Sequence, residues 1–188
     1  MKNIAAIVLA AGASTRMSGR IKQLLVYRGE ALLEHAVSQA SACFEPVIVV
    51  VGAHAEVVRS FFERRPEILV VENTNWKSGM GSSISAGMQA MPECDGVAIL
   101  LADQPLVTAE HLSAMRDRFQ GEIVAARYND SVGVPAIFPK RLFSALQTLS
   151  GEQGARSILR DSAERVIAFD LPEAAIDIDT LEDFSALP

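Results

Sequence analysis

A turn of small residues near the start of the chain carries the side chains best suited to binding phosphate. Residues 4–10 are wholly apolar and are followed by Ala11-Gly12-Ala13, then by the hydroxyls of Ser14 and Thr15 and the guanidinium of Arg16. Hydroxyls, backbone N–H groups and a fixed guanidinium suit phosphate oxygens, and small side chains let a ligand approach the backbone closely. The stretch predicts a nucleoside triphosphate site; the alternative is an ordinary tight strand-to-helix connection.

This turn differs from two well-known glycine-rich phosphate loops. Six residues separate Gly12 from Gly19, and Arg20-Ile21 follows where a P-loop requires Lys-Ser or Lys-Thr. The dinucleotide fingerprint G-x-G-x-x-G does not occur in the chain. The nucleotide interpretation therefore depends on the motifs that follow.

A carboxylate stands directly after another apolar run. Residues 96–102 are apolar, and Asp103-Gln104-Pro105 comes next. In open α/β sheets, ligands bind beyond the carboxyl ends of the strands, and Mg²⁺ prefers one or two carboxylates together with substrate phosphates. Asp103 is thus a candidate magnesium ligand; the alternative is that it caps a turn formed with Pro105.

A glycine- and serine-rich segment precedes a predicted helix. Gly79-Met80-Gly81-Ser82-Ser83 ends a connection that is long for a simple loop. We expect Ser82 or Ser83 to cap the helix that follows. The N-terminus of that helix, with its hydroxyls, is also a candidate site for an anionic or polar group of a ligand.

Two acidic residues alternate near the end of the chain. Asp177 and Asp179 flank Ile178, so both carboxylates face the same side of an extended segment. They repel each other unless a cation joins them, which favours a shared metal; the alternative is two solvated surface acids. Thr180 and Asp183 resemble a capping box with Asp in place of Glu, which predicts that Thr180 is a helix N-cap.

Strand-like apolar runs alternate with helix-like segments along the chain. This order predicts an α/β fold with a mostly parallel sheet, and wholly apolar strands indicate helices on both faces. We expect a single domain over residues 1–188, because no repeat or linker-like segment interrupts the pattern. Residues 23–27 are expected to form a short strand, and Pro135 to confine its segment to an edge or an irregular position.

The overall composition excludes several classes of function. The net charge of −6 argues against broad contact with nucleic acid, and no apolar run approaches the roughly 18 residues of a membrane span. No signal peptide is expected, because Met1-Lys2-Asn3 leads directly into the first strand. Cys43 and Cys94 lack metal-site spacing, which predicts reduced, buried thiols in a cytoplasmic protein.

Taken together, these motifs resemble those of the MobA-like nucleotidyltransferases, which attach a nucleotide to the molybdenum cofactor. The resemblance covers nearly the whole length, and the order and spacing of the motifs make it specific. It rests on residues 9–17 with Lys22, on 79–83, on 103–105, on Gly133-Val134-Pro135, on 151–156 and on 177–183.

The resemblance implies a Rossmann-like, mostly parallel sheet and a nucleotide site built from the matching residues. The residues implied to contact the base and sugar, or to lie near the base, are Leu9, Ala10, Ala11, Gly12, Gly81 and Ser82. Those implied to hold the triphosphate are Ser14, Thr15, Arg16 and Lys22.

The resemblance also implies the residues that act in catalysis. Asp103 is implied to bind Mg²⁺, and the pair Asp177 and Asp179 is placed where the family often supplies a second metal ligand. Lys22 and Arg16 are expected to neutralise charge on the pyrophosphate and in the transition state. The acceptor phosphate is already an anionic nucleophile, so positioning, Mg²⁺ and fixed cations are expected to supply most of the catalysis.

Details of the motifs favour one branch of the family. Leu-Ala-Ala-Gly is more typical of the cytidylyl branch, since the guanylyl branch tends to carry glycine where Ala11 stands. CTP is therefore favoured over GTP as the substrate. Three residues depart from the family pattern: Ser18 and Leu181 are compatible with a loop and a helix start, whereas Glu152 stands where aspartate is frequent.

The expected activity is transfer of CMP from CTP to a molybdopterin-type cofactor, with release of pyrophosphate. Related proteins with the same motifs act as maturation factors for molybdenum hydroxylases, so such a hydroxylase is a candidate partner. One alternative is a nucleotidyltransferase acting on a sugar or alcohol phosphate. The other is a non-catalytic chaperone that delivers the cofactor to a hydroxylase.

Overall fold

The computed structural model describes residues 2–152, 154–161 and 163–188. The strands are β1 (Ile4–Ala10), β2 (Val26–Tyr27), β3 (Glu30–Ala31), β4 (Val47–Val51), β5 (Ile68–Glu72), β6 (Gly96–Leu101), β7 (Ile123–Tyr128), β8 (Ser131–Pro139) and β9 (Val166–Asp170). The α-helices are α1 (Leu32–Ser41), α2 (Ala55–Ser60), α3 (Met80–Gln89), α4 (Ala109–Arg118), α5 (Phe143–Gln147), α6 (Arg156–Leu159) and α7 (Leu181–Ser185).

Seven strands form one sheet in the order β5-β4-β1-β6-β8-β7-β9. Neighbouring strands are parallel except on either side of β8, which runs antiparallel to both β6 and β7. A two-stranded ribbon of β2 and β3 lies apart from this sheet. The predicted α/β fold with a mostly parallel sheet is confirmed.

Strand β1 lies near the middle of the sheet and is buried along its whole length. Ala6 and Val8 pack in one apolar cluster with residues of α1, α2 and α4, while Ile7 and Leu9 pack in a second cluster with residues of α3, α5 and α6. The helices therefore cover both faces, as the continuous apolar strands predicted. No helix in the described ranges is long and apolar enough to cross a membrane.

Two local predictions are corrected by the structure. The segment expected to be a strand from residue 23 begins as a 3-10 helix (Lys22–Leu24), and only Val26–Tyr27 is extended. Pro135 lies in β8, an interior strand, where the register skips from Ala125–Ala136 to Ala126–Gly133. Since residue 135 falls within this bulge, the irregular position is confirmed and the edge position is wrong.

The cap of the last helix follows its prediction, and the thiols follow theirs in part. The Thr180 hydroxyl accepts a hydrogen bond from Asp183 N at 3.1 Å, and the Asp183 carboxylate accepts one from Thr180 N at 2.7 Å. Thr180 is therefore the N-cap of α7. Both cysteines are free; the prediction of a buried thiol is confirmed for Cys94 and wrong for Cys43, which is half-buried.

Candidate functional site

The carboxyl ends of β1 and β6 open into a cleft of about 450 Å³. The cleft brings together the turn after β1, the 3-10 helix that contains Lys22, the start of α3 and the acids that follow β6 and precede α7. Its lining residues are Leu9, Ala11, Gly12, Ala13, Ser14, Thr15, Arg16, Lys22, Trp76, Lys77, Gly79, Met80, Ser83, Leu101, Asp103, Glu152 and Asp179.

The backbone carbonyls of residues 10–13, where β1 ends and the turn begins, all have hydrogen-bond partners in the protein. Gln23 Nε2 donates to Ala10 O at 3.0 Å and to Gly12 O at 3.2 Å. Ala53 N donates to Ala11 O at 3.2 Å, and His54 Nε2 lies 3.2 Å from Ala13 O. The buried Gln23 amide thus replaces the partners that a strand or helix would give these carbonyls.

The backbone N–H groups of the same turn remain available. Within the described residues, the N–H groups of residues 12–16 have no hydrogen-bond acceptor. Ser14 adopts a left-handed conformation, with φ of 53°. Its hydroxyl accepts from Lys22 N at 3.0 Å and donates to Gln23 Oε1 at 3.2 Å. Consecutive free N–H groups in a tight turn form a concavity that binds anions.

Two basic and two acidic side chains meet on one side of this turn. Lys22 Nζ lies 2.6 Å from Asp103 Oδ2 and 3.2 Å from Asp179 Oδ1, and Arg16 Nη2 lies 2.8 Å from Asp179 Oδ2. Burial lowers the pKa of Lys22, but the adjacent carboxylates of Asp103 and Asp179 outweigh that effect and raise it overall. Lys22 is therefore a fixed positive charge at neutral pH.

Asp103 retains one oxygen without a partner. Its Oδ1 is buried and accepts no hydrogen bond from the described residues. A buried carboxylate oxygen without a donor is costly, and a divalent cation is one partner that would satisfy it. No three His, Cys, Asp or Glu side chains of the described chain are grouped as a ready metal site, so phosphate oxygens would have to complete the coordination.

Asp177 and Asp179 line two different, adjoining cavities. Ile178 is buried and its N–H donates to Asp103 O at 2.9 Å, which fixes the segment against the end of β6. Asp179 then reaches the cleft, whereas Asp177 lines the adjoining cavity. Burial raises the pKa of Asp177, and the nearby charge of Asp103 raises it further.

The start of α3 differs from the prediction. Gly79, with φ of 103°, is the N-cap residue, so neither Ser82 nor Ser83 caps the helix. Gly151 O accepts from Gly81 N at 2.9 Å, so this N–H of the first turn is bound within the protein. The Ser82 hydroxyl donates to Gly79 O at 2.8 Å. Gly81 and Ser82 lie outside the cleft lining, as does Ala10, while Ser83 lies within it.

Three residues that position the site carry no recognisable motif. Gln23 donates hydrogen bonds to two carbonyls of the turn, and the half-buried Trp76 lines the cleft. Gly52 follows β4, and a Cβ atom there would lie 2.7 Å from Ala11 O and 2.8 Å from Trp76 Cβ. The only available signal for Gly52 was a glycine at the carboxyl end of an apolar run.

Comparisons with known proteins agree with this arrangement. The family model described as the MobA-like NTP transferase domain matches residues 6–166. A protein named nicotine blue oxidoreductase, from Paenarthrobacter nicotinovorans, is 34% identical and the match covers 98% of this chain and 96% of that protein. The purine catabolism protein PucB of Bacillus subtilis is 29% identical, with 95% and 92% covered.

Solved structures show the same fold. Rv0371c from Mycobacterium tuberculosis superposes with a TM-score of 0.81 at 30% identity, covering 97% of this chain and 96% of that one. A second structure of Rv0371c, in complex with manganese, gives a TM-score of 0.77 at 29% identity with the same coverage. A divalent metal has therefore been seen in a similar protein.

Proposed function

The chain belongs to the MobA-like NTP transferase family, and from this premise we propose that it transfers CMP from CTP to the phosphate of a molybdopterin-type acceptor. The observation that carries the proposal is the turn at residues 12–16, whose N–H groups have no acceptor among the described residues while the carbonyls beside them are tied away from the cleft. A polyphosphate supplies the acceptors that these N–H groups lack.

The basic residues are suited to the charge changes of this reaction. An oxygen of the acceptor phosphate forms a bond to the α-phosphorus, the bond from that phosphorus to the bridging oxygen breaks, and pyrophosphate leaves with the electron pair. Lys22 and Arg16 border the cleft where the triphosphate would lie, and fixed cations there stabilise the leaving pyrophosphate. No general base is needed because the nucleophile is already anionic.

Asp103 is the residue that we propose holds Mg²⁺, with Asp179 beside it in the cleft. The metal when bound would neutralise phosphate charge and polarise the reacting phosphoryl group. Asp103 and Asp179 keep Lys22 in place before the nucleotide binds. Ala11, at the position where the guanylyl branch tends to carry glycine, favours CTP over GTP.

The single tryptophan provides a direct test of where the nucleotide binds. Trp76 lines the cleft beside Gly79 and Met80, so a base bound there contacts or approaches the indole ring. We expect CTP to quench Trp76 fluorescence in a saturable manner. Unchanged emission at CTP concentrations that calorimetry shows to be saturating would place the nucleotide elsewhere.

The activity itself is tested by pyrophosphate release. The purified protein is incubated with Mg²⁺, each of the four common ribonucleoside triphosphates, and either a molybdopterin-type acceptor or a sugar phosphate. We expect release with CTP and the molybdopterin-type acceptor only. Cofactor binding and a stable hydroxylase complex without nucleotide consumption would instead support a chaperone.

A second candidate function follows from the name of a relative that matches over nearly its full length. Nicotine blue oxidoreductase is 34% identical to this chain, so an oxidoreductase activity is the competing proposal. It is tested by following the absorbance of nicotine blue with a reduced nicotinamide dinucleotide as electron donor. Bleaching that depends on the protein, without pyrophosphate release in the first assay, would favour this alternative.

A further inference from the structure

His35 lies on α1, outside the lining of the nucleotide cleft, and contacts the segment that carries Asp103. We propose that His35 is a positioning residue for the transfer reaction: its imidazole holds residues 103–105 so that Asp103 stays beside Lys22, in place to bind the divalent metal. The inference rests on the proposed nucleotidyl transfer, because it assigns the support of that reaction's metal ligand to a residue that does not line the cleft.

The first observation is a hydrogen bond between the His35 ring and the main chain two residues after Asp103. His35 Nε2 donates to Pro105 O at 3.1 Å. A carbonyl oxygen only accepts, so Nε2 must carry a proton. Pro105 has no N–H of its own, so its carbonyl is the polar main-chain group through which another element can hold this residue.

The second observation is that the ring itself is held in one orientation. Its Nδ1 lies 2.9 Å from Glu30 Oε1, a contact that requires a second proton, on the ring or on Glu30. The Tyr27 ring meets the imidazole edge-to-face, with the ring centroids 5.6 Å apart. The His35 side chain is only 12% exposed. Because Nδ1 and the ring both have fixed neighbours, Nε2 points in one direction, towards Pro105.

The third observation is that His35 connects the two segments whose side chains meet in the cleft. The side chains that fix the ring belong to the ribbon of β2 and β3, which follows the 3-10 helix containing Lys22. The carbonyl that the ring binds belongs to the segment containing Asp103. His35 therefore joins the main chain on either side of the 2.6 Å contact between Lys22 Nζ and Asp103 Oδ2.

The neighbouring carbonyls of the segment are bound from other directions. Ile178 N donates to the carbonyl of residue 103 at 2.9 Å, and Val107 N donates to that of residue 104 at 3.1 Å. With His35 at residue 105, three consecutive carbonyls have three different partners. Of these three bonds, only the one from His35 is made by a side chain, so a substitution can remove it without altering the main chain.

Two substitutions separate the roles of the two ring nitrogens. Glutamine can place an amide N–H near the position of Nε2, whereas asparagine reaches only the position of Nδ1. His35→Gln should therefore keep the bond to Pro105 O, and His35→Asn should lose it. Each variant is saturated with CTP, without an acceptor so that no transfer occurs, and its affinity for Mn²⁺ is measured by EPR. We expect His35→Asn to weaken Mn²⁺ binding about tenfold or more, as for other residues that support a metal ligand, and His35→Gln to weaken it about threefold at most.

Two controls separate positioning from a general loss of structure. The affinity of His35→Asn for CTP without metal should be unchanged, because in the described part of the chain His35 makes no hydrogen bond to the turn at residues 12–16. Gln39→Ala is the matched variant: Gln39 lies one turn further along α1, and its Oε1 accepts from Ala109 N at 2.8 Å. The substitution removes a bond from the same helix to the same connection, but beyond residues 103–105, and should leave Mn²⁺ affinity unaltered.

Hydrogen exchange of the free protein, followed by NMR, tests the same contact without nucleotide or metal. We expect the N–H groups of Val107 and Ile178 to exchange about tenfold faster in His35→Asn, as for the loss of one hydrogen bond that holds the segment, and at the wild-type rate in His35→Gln. Wild-type exchange in His35→Asn, or equal weakening of Mn²⁺ binding in Gln39→Ala, would overturn the inference. Faster exchange in His35→Asn alone supports the positioning of residues 103–105 even when the wild-type protein binds no Mn²⁺ with CTP, so failure of the proposed function is recognised separately.

Discussion

Replacing Asp103 with asparagine is expected to lower metal-dependent pyrophosphate release by at least about a hundredfold. Removing one group that stabilises developing charge costs about 2.7–4 kcal/mol in a preorganised site. Asp103 contributes twice, because its Oδ2 holds Lys22 at 2.6 Å and its Oδ1 is the buried oxygen without a partner. Release is measured with CTP and the acceptor over a range of Mg²⁺ concentrations.

The fold should survive this substitution. The contact that Asp103 makes with the C-terminal segment uses its backbone carbonyl, which accepts from Ile178 N and is unchanged in asparagine. Asp117→Asn is the control, since Asp117 is 72% exposed on α4 and its substitution removes the same charge. Near-normal turnover in Asp103→Asn, with the control also active, would show that the metal assignment is wrong.

The order of apolar runs along the chain was sufficient to predict the strands whose carboxyl ends form the site. Strands β1, β4 and β6 are wholly or almost wholly buried, and such strands are recognisable from continuous apolar residues alone. Because their carboxyl ends lie at one edge of a parallel sheet, Gly12 and Asp103 were expected to share a cleft. They line the same cavity in the structure.

The contacts that shape the turn could not be predicted in the same way. Gln23 reads as an ordinary polar residue, and its role depends on the 3-10 helix that directs its amide back towards β1. The position of Gly151 O at the start of α3 depends on a loop about seventy residues further along the chain. Local rules for helix caps therefore favoured Ser82 or Ser83, whereas a tertiary acceptor, Gly151 O, binds an N–H of the first turn of the helix.

The cavity that adjoins the cleft shows a third reason why a site cannot be predicted from sequence alone. Tyr128, Arg156 and Asp177 come from separate parts of the chain, and no spacing rule connects them. The resemblance pointed to Gly133 as part of a motif, but its physical reason appears only when Tyr128 is seen to cross it. Residue types at a site can be predicted from motifs, whereas the cavity they share depends on β7, β8 and α6 packing together.

Gln23→Glu, a nearly isosteric change, is expected to destabilise the turn after β1 strongly. The side chain is 3% exposed, and its Nε2 donates to Ala10 O and Gly12 O. A carboxylate oxygen in that place faces two carbonyl oxygens without a proton at neutral pH. Two lost hydrogen bonds and a buried charge predict a loss of about 3 kcal/mol in the free energy of unfolding, measured by urea denaturation.

The CTP affinity of Gln23→Glu should fall by more than its lower free energy of unfolding explains. When the carbonyls at 10 and 12 are released, the N–H groups at 12–16 are no longer held as one concavity, and the added negative charge repels the triphosphate. We expect CTP affinity to fall by about a hundredfold under conditions where the variant is still folded, as followed by calorimetry. Gln120→Glu, an exposed change of the same type, should leave both stability and affinity unaltered; wild-type CTP affinity in folded Gln23→Glu would mean that the turn does not hold the nucleotide.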